Sequence, residues 1–146
     1  MRAGPAVASL AILACLAAPA RANGPVDWNA LADTGTIQIV TTDPDGSPRE
    51  TTVWLAVWKG QGYVRSSGTR WLGNVERNPD VLVRAGGADH PLRAVRVPDS
   101  ETREAVTAVF REKYGFSDVL TGVYRGLFGT PTIMRLEPRT SLAPID

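Results

Sequence analysis

The densest set of chemically capable side chains in this 146-residue sequence is the run Arg65-Ser66-Ser67-Gly68-Thr69-Arg70-Trp71-Leu72-Gly73-Asn74. It lies where a β-branched, apolar segment gives way to a short helical pattern, and its chemistry suits a phosphate. Guanidinium groups make charge-assisted, often bidentate bonds with phosphate oxygens. Hydroxyls add donors, and a glycine lets backbone N–H groups turn toward an anion at a helix start. Side chains alternate along an extended segment, so Arg65 and Ser67 form the better pair on one face. The competing reading is a Ser-Gly turn flanked by two surface arginines. Trp54, Trp58 and Trp71 offer faces for a planar ligand, although aromatic residues in strands more often fill a core.

Other chemistries find less support. His90 is the one histidine, so a Ser-His-acid triad has a single possible base, expected in a turn beside Pro91. No serine sits in a G-x-S-x-G nucleophile elbow, and no phosphate-binding or dinucleotide glycine fingerprint occurs. Asp43 and Asp45 begin like a calcium loop, but Trp54 stands where the closing glutamate belongs, which leaves them as turn residues. Sixteen Lys and Arg against 15 Asp and Glu give a net charge of +1, with no basic excess for nucleic acid. One cysteine, Cys15, excludes an intrachain disulfide framework and a multi-thiolate zinc site.

The elements that must position these residues follow a leader. In residues 1–22 Arg2 is the one early charge, 6–18 are almost entirely apolar, and acidic residues are absent. Ala20-Arg21-Ala22 supplies small residues at minus three and minus one, so a signal peptide cleaved after Ala22 is expected, with export to a periplasm. The apolar run is too short to span a bilayer, and no membrane association is expected after cleavage. Ile12-Leu13-Ala14-Cys15 loosely resembles a lipoprotein box in which Cys15 would carry the lipid. No arginine pair precedes the run, which predicts export of an unfolded chain. Residues 23–146 read as one domain, large enough for a core without metal or disulfide.

Within that domain Trp28 and Leu31 are expected to pack back onto the body. Strands are predicted over 36–42 and 51–58, joined through Asp43-Pro44-Asp45-Gly46-Ser47-Pro48, then over 62–67, 81–85, 92–97 and 132–136. Both faces of the second strand are apolar, which predicts a barrel strand covered outside by a helix or a partner chain. A short helix is expected over 69–77, stopped by Asn78-Pro79. A longer one runs from an N-cap at Asp99 or Ser100 to Gly115, with Val106, Val109, Phe110 and Tyr114 on its apolar face. A weaker helix is predicted over 116–128. The fold class is therefore mainly β (α+β), a six-stranded split β-barrel with a short helix after the third strand and one or two helices before the last.

This order of elements, together with Arg49-Glu50-Thr51-Thr52-Val53-Trp54, Tyr63 to Gly68, Arg70 to Asn74, Asn78-Pro79 and Lys113-Tyr114-Gly115, resembles the flavin-binding split-barrel superfamily. That group includes the pyridoxamine phosphate oxidase-like proteins and the deazaflavin-dependent nitroreductases, and the sequence is most similar to a small member family of unassigned function. The resemblance implies a homodimer with a flavin in a groove between subunits and a small-molecule substrate or electron donor. It implies that Arg65, Ser67 and Arg70 hold the phosphate, with Ser66, Thr69 and Asn74 supporting, and that Thr52, Val53 and Trp54 line the isoalloxazine ring; Trp71, from the residues alone, is a further candidate stacking face in the cofactor site. The protein then positions the cofactor and no catalytic dyad is expected. The short connection before Trp71 lacks the added glycine and lysine of many deazaflavin binders, which favours FMN over a deazaflavin. The alternative is a non-enzymatic exported module binding haem or another small apolar ligand.

Overall fold

The computed structural model describes residues 20–21, 24–66, 70–115 and 131–139. Six strands, β1 (Thr36–Thr42), β2 (Pro48–Trp58), β3 (Gln61–Ser66), β4 (Asp80–Ala85), β5 (Ala88–Arg96) and β6 (Thr132–Pro138), pair antiparallel in the order β5-β4-β1-β2-β3-β6. Pairing of β6 with β5 closes the sheet into a barrel. Helix α1 (Arg70–Arg77) follows β3, and α2 (Ser100–Tyr114) lies between β5 and β6 in sequence. The weak helix expected over 116–128 lies outside the described residues. So do Cys15 and Ala22, while a two-residue strand, Ala20–Arg21, adds parallel to Ala88–Asp89. Among the described residues no helix is long and apolar enough to cross a membrane.

Tight turns set the register. Lys59 (φ 49°) and Gly60 (φ 70°) turn β2 into β3, a two-residue geometry whose twist matches that of the flanking strands. Gly86 (φ 59°) and Gly87 (φ 75°) do the same between β4 and β5. Here the structure shortens the connection that the sequence leads one to expect over 86–91, between strands at 81–85 and 92–97. Two glycines suffice for the reversal, so β5 starts at Ala88 and His90 pairs with Val83 in the ladder. β2 likewise starts at Pro48, opposite Thr42, three residues before the expected boundary.

The two apolar faces of β2 belong to two cores. Val53 and Leu55 point inward with Ile39, Val64, Val83 and Leu136. Trp54, Ala56 and Trp58 point outward beneath α2, whose Val106 and Phe110 are fully buried against Ala56, Tyr63 and Ile133. The expected outer cover is thus a helix of the same chain. Trp71, Leu72 and Val75 carry one face of α1 into the barrel core. Trp28 also enters that core, with Leu31 partly buried against it, and Gly62 leaves room for the indole: a Cβ there would lie 2.5 Å from the Trp28 ring.

Candidate functional site

Alternation along β3 sends Val64 and Ser66 inward and Tyr63 and Arg65 outward, onto the face that α2 covers. The Arg65 guanidinium carbon lies 4.6 Å from the Phe110 ring centroid and 5.3 Å from that of Trp54. Cations over aromatic faces gain from the ring quadrupole, and contact with two rings restricts the side chain. Trp54 in turn stacks on Tyr114, with centroids 4.4 Å apart and planes 9° apart.

The end of α2 holds this stack in place. The Tyr114 hydroxyl accepts from Leu55 N–H at 3.1 Å and is in hydrogen-bond contact with the carbonyls of Leu55 (2.7 Å) and Gly35. Lys113 Nζ donates to the carbonyls of Thr34 at 2.6 Å and Leu55 at 2.9 Å. Burial pushes the Tyr114 phenol above its ordinary pKa and the Lys113 ammonium below its own. Gly115 (φ 49°) closes the helix, and Asp99 opens it by accepting from Thr102 N–H at 2.7 Å.

Beside Arg65 lies a cavity of about 360 Å³ lined by Arg103, Glu104, Thr107, Arg111 and Ile133 among others. Arg103, Thr107 and Arg111 are spaced by four and so share one side of α2. Arg103 is oriented by donating to the Pro98 carbonyl at 2.8 Å. Three guanidiniums therefore face one carboxylate, a setting that attracts an anion.

Arg70 stands at the start of α1, against a different cavity of about 720 Å³ that also involves Asp43, Asp45, Asn74, Glu76 and Arg77. Asn74 is 2% exposed. Its Nδ2 donates to Thr41 Oγ1 at 3.0 Å and Asp43 Oδ1 at 2.7 Å, and its Oδ1 accepts from Arg77. Asp43 also accepts from Arg49 Nε at 2.9 Å, and Arg49 first, then Asn74, hold its carboxyl at about 2. This cluster fastens α1 to the β1–β2 turn.

Of the residues singled out from the sequence, the structure brings Arg65 and Trp54 together. Thr52 is exposed on the same face of β2 as Trp54 and exchanges hydrogen bonds with the Gln38 side chain, at 2.8 and 3.1 Å. Val53, Ser66 and Trp71 are buried, with Val53 and Trp71 in the barrel core. Ser67 and Thr69 lie outside the described residues. Arg103 and Arg111 escaped the sequence reading because their side of α2 looks like a solvated helix face; their four-residue spacing around Thr107 was the available signal. His90, placed by the structure in β5, has its Nε2 3.2 Å from the Ala85 carbonyl and its Nδ1 buried. No cluster of potential metal ligands occurs among the described residues.

Comparison with known proteins places this geometry. The family described as "Uncharacterized protein conserved in bacteria (DUF2255)" matches residues 27–134. No curated protein sequence matches. Among solved structures, the conserved hypothetical protein Rv2991 from Mycobacterium tuberculosis is similar at TM-score 0.60 and 21% identity, over 82% of this chain and 85% of that one. The haem storage protein HutZ from Vibrio cholerae gives TM-score 0.59 and 21% identity, over 78% and 89%. An F420-H2 dependent reductase, FDR-A, gives TM-score 0.56 and 19% identity, over 71% and 95%. At these identities the shared property is the fold.

Proposed function

The chain belongs to the DUF2255 family and carries the split-barrel fold, and from that premise we propose that it binds FMN and passes electrons from a reduced donor to a small acceptor. The observation that carries this reading is the Arg65 guanidinium, lying over the Trp54 and Phe110 rings at the rim of a cationic cavity. An anionic tail meets a preset guanidinium there, next to aromatic surface. Among the described residues, the chemistry fits a phosphate-bearing planar cofactor. Bound flavin would supply the hydride and electron chemistry. The chain's part is to bind and orient: Arg65 at the phosphate, with Ser67 and Thr69, which follow it closely in sequence, and Trp54 and Thr52 toward the ring.

The reading includes a homodimer that closes the cofactor groove, as the superfamily resemblance implies, and export with removal of the leader behind Ala22. Export in an unfolded state would require cofactor loading outside the cytoplasm. Haem is the second reading, favoured by the likeness to HutZ. Against it stands His90: its Nδ1 is buried and its Nε2 lies against the Ala85 carbonyl, so neither nitrogen is offered to the Arg65 cavity as an axial ligand.

A visible spectrum of the purified protein, before and after titration with FMN and with haemin, tests this. A flavin band that saturates at one per chain is expected, and Arg65→Ala should weaken FMN by about 1.5–3 kcal/mol, the range for a hydrogen bond to a charged group. A Soret band without flavin uptake would establish the haem reading, and uptake of neither would remove both.

A further inference from the structure

We infer that the phosphate of the mononucleotide is gripped by α2, through Arg103 and Arg111 acting with Arg65, and not by Arg70. This rests on the flavin reading above. The sequence pairs Arg65 with Arg70, five residues apart, but in the folded chain they line separate cavities.

Charge separates the two places. Around Arg65 the ionisable lining is Arg65, Arg103 and Arg111 against Glu104. Around Arg70 it is Arg70 and Arg77 against Asp43, Asp45 and Glu76, and Arg77 already donates to Asn74. An incoming dianion gains in the first setting and is repelled by carboxylates in the second.

Placement agrees with charge. Eight residues of helix separate Arg103 from Arg111, about 12 Å along the axis, and long guanidinium arms can converge from both ends on a group seated between them. Thr107 lies between, but its hydroxyl donates to the Arg103 carbonyl at 2.7 Å, which leaves the grip to the arginines. Arg103 is preset by the Pro98 carbonyl and Arg65 by its two rings, so ordering them costs little at binding. Arg111 makes no side-chain hydrogen bond or ion pair among the described residues, so its donors are available, and it follows Phe110, the residue that packs on Arg65. At about 360 Å³ the cavity lies near the lower end of the range of small-molecule sites, a volume for one nucleotide rather than two.

The test compares FMN with riboflavin, which differ by the phosphate alone, using flavin fluorescence on the full chain. Arg103→Gln and Arg111→Gln should each weaken FMN by about tenfold or more and leave riboflavin unchanged, and Arg70→Gln should move neither. Both α2 positions are exposed, so the variants should fold, and matching thermal midpoints would verify this. The inference is overturned if Arg70→Gln lowers FMN selectively while the α2 variants do not. Equal loss of FMN and riboflavin in the α2 variants also overturns it, because that marks a structural role. If the wild type binds neither flavin, the cofactor reading falls by itself. Inorganic pyrophosphate then decides the anion site: it should raise the thermal midpoint of the wild type and not that of the Arg103→Gln, Arg111→Gln double variant, and an equal rise in both would refute the site.

Discussion

Replacing Gly62 by alanine examines how the entry segment is joined to the barrel. The added Cβ would sit 2.5 to 2.6 Å from three atoms of the Trp28 ring, whereas carbon atoms in contact prefer about 3.5–4.0 Å. An overlap of about 1 Å leaves two responses. Either β3 and the indole shift within the core, at the cost of about 1–3 kcal/mol typical of overpacking, or the indole leaves. Trp28 is 6% exposed, and a buried Trp removes about 150–250 Å² from water, so full ejection has an upper cost of about 4–6 kcal/mol. The cheaper response sets the expectation at a loss of about 1–3 kcal/mol. Its sign is informative, because alanine in place of glycine inside a strand would otherwise stabilise by roughly 0.5–1 kcal/mol. Urea unfolding followed by far-ultraviolet circular dichroism should show a lower midpoint at unchanged slope. In a Trp28→Ala background the same substitution should become neutral or stabilising, which makes the pair a double-mutant cycle with strong coupling. The reasoning is refuted if Gly62→Ala is harmless in the wild type, or equally damaging in both backgrounds.

Tyr114→Phe keeps the stack on Trp54 but removes the hydroxyl shared by Leu55 and Gly35, so a loss of about 1–3 kcal/mol is expected in the same unfolding assay, and no loss would mean that the ring stack and Lys113 hold the helix end without the hydroxyl. Asp43 titrates at about 2 in the folded chain and 3.8 as the reference, so its contribution is present above pH 4 and disappears as pH falls through 2. The wild type should therefore exceed Asp43→Asn in urea midpoint near neutrality, with the gap narrowing between pH 4 and pH 2; a constant gap would contradict the assigned pairing with Arg49 and Asn74.

Much of the barrel could be read from the residues because local chemistry and final environment agree. β1 coincides with its β-branched run from Thr36 to Thr42, and α2 runs from the Asp99 cap to Gly115, where capping and apolar spacing both point. The doubly apolar β2 announced an outer layer, and α2 supplies it. Misreadings arose where two local signals competed. His90-Pro91 looks like a turn, yet Gly86-Gly87 had already reversed the chain, and Pro91 is accommodated in β5. The site was legible in part for a different reason. Arg65 and Trp54 lie on paired neighbouring strands and point the same way, a relation that alternation predicts. Which arginines share a cavity depends on barrel closure and on where α2 docks, and nothing in the 65–74 run encodes either.

The pairing of β6 with both β3 and β5 has a kinetic corollary. Three hairpins, β1–β2, β2–β3 and β4–β5, join neighbours in sequence and need short loop closures, whereas the seal at Tyr63–Ser66 and Leu92–Arg96 waits for Thr132–Pro138, which follows α2. A polypeptide emerging N-terminus first, from a ribosome or a translocation channel, thus carries two bare β-edges until β6 arrives. Those edges are templates for pairing with other chains, so truncations that stop before Thr132 should aggregate rather than fold into a smaller unit.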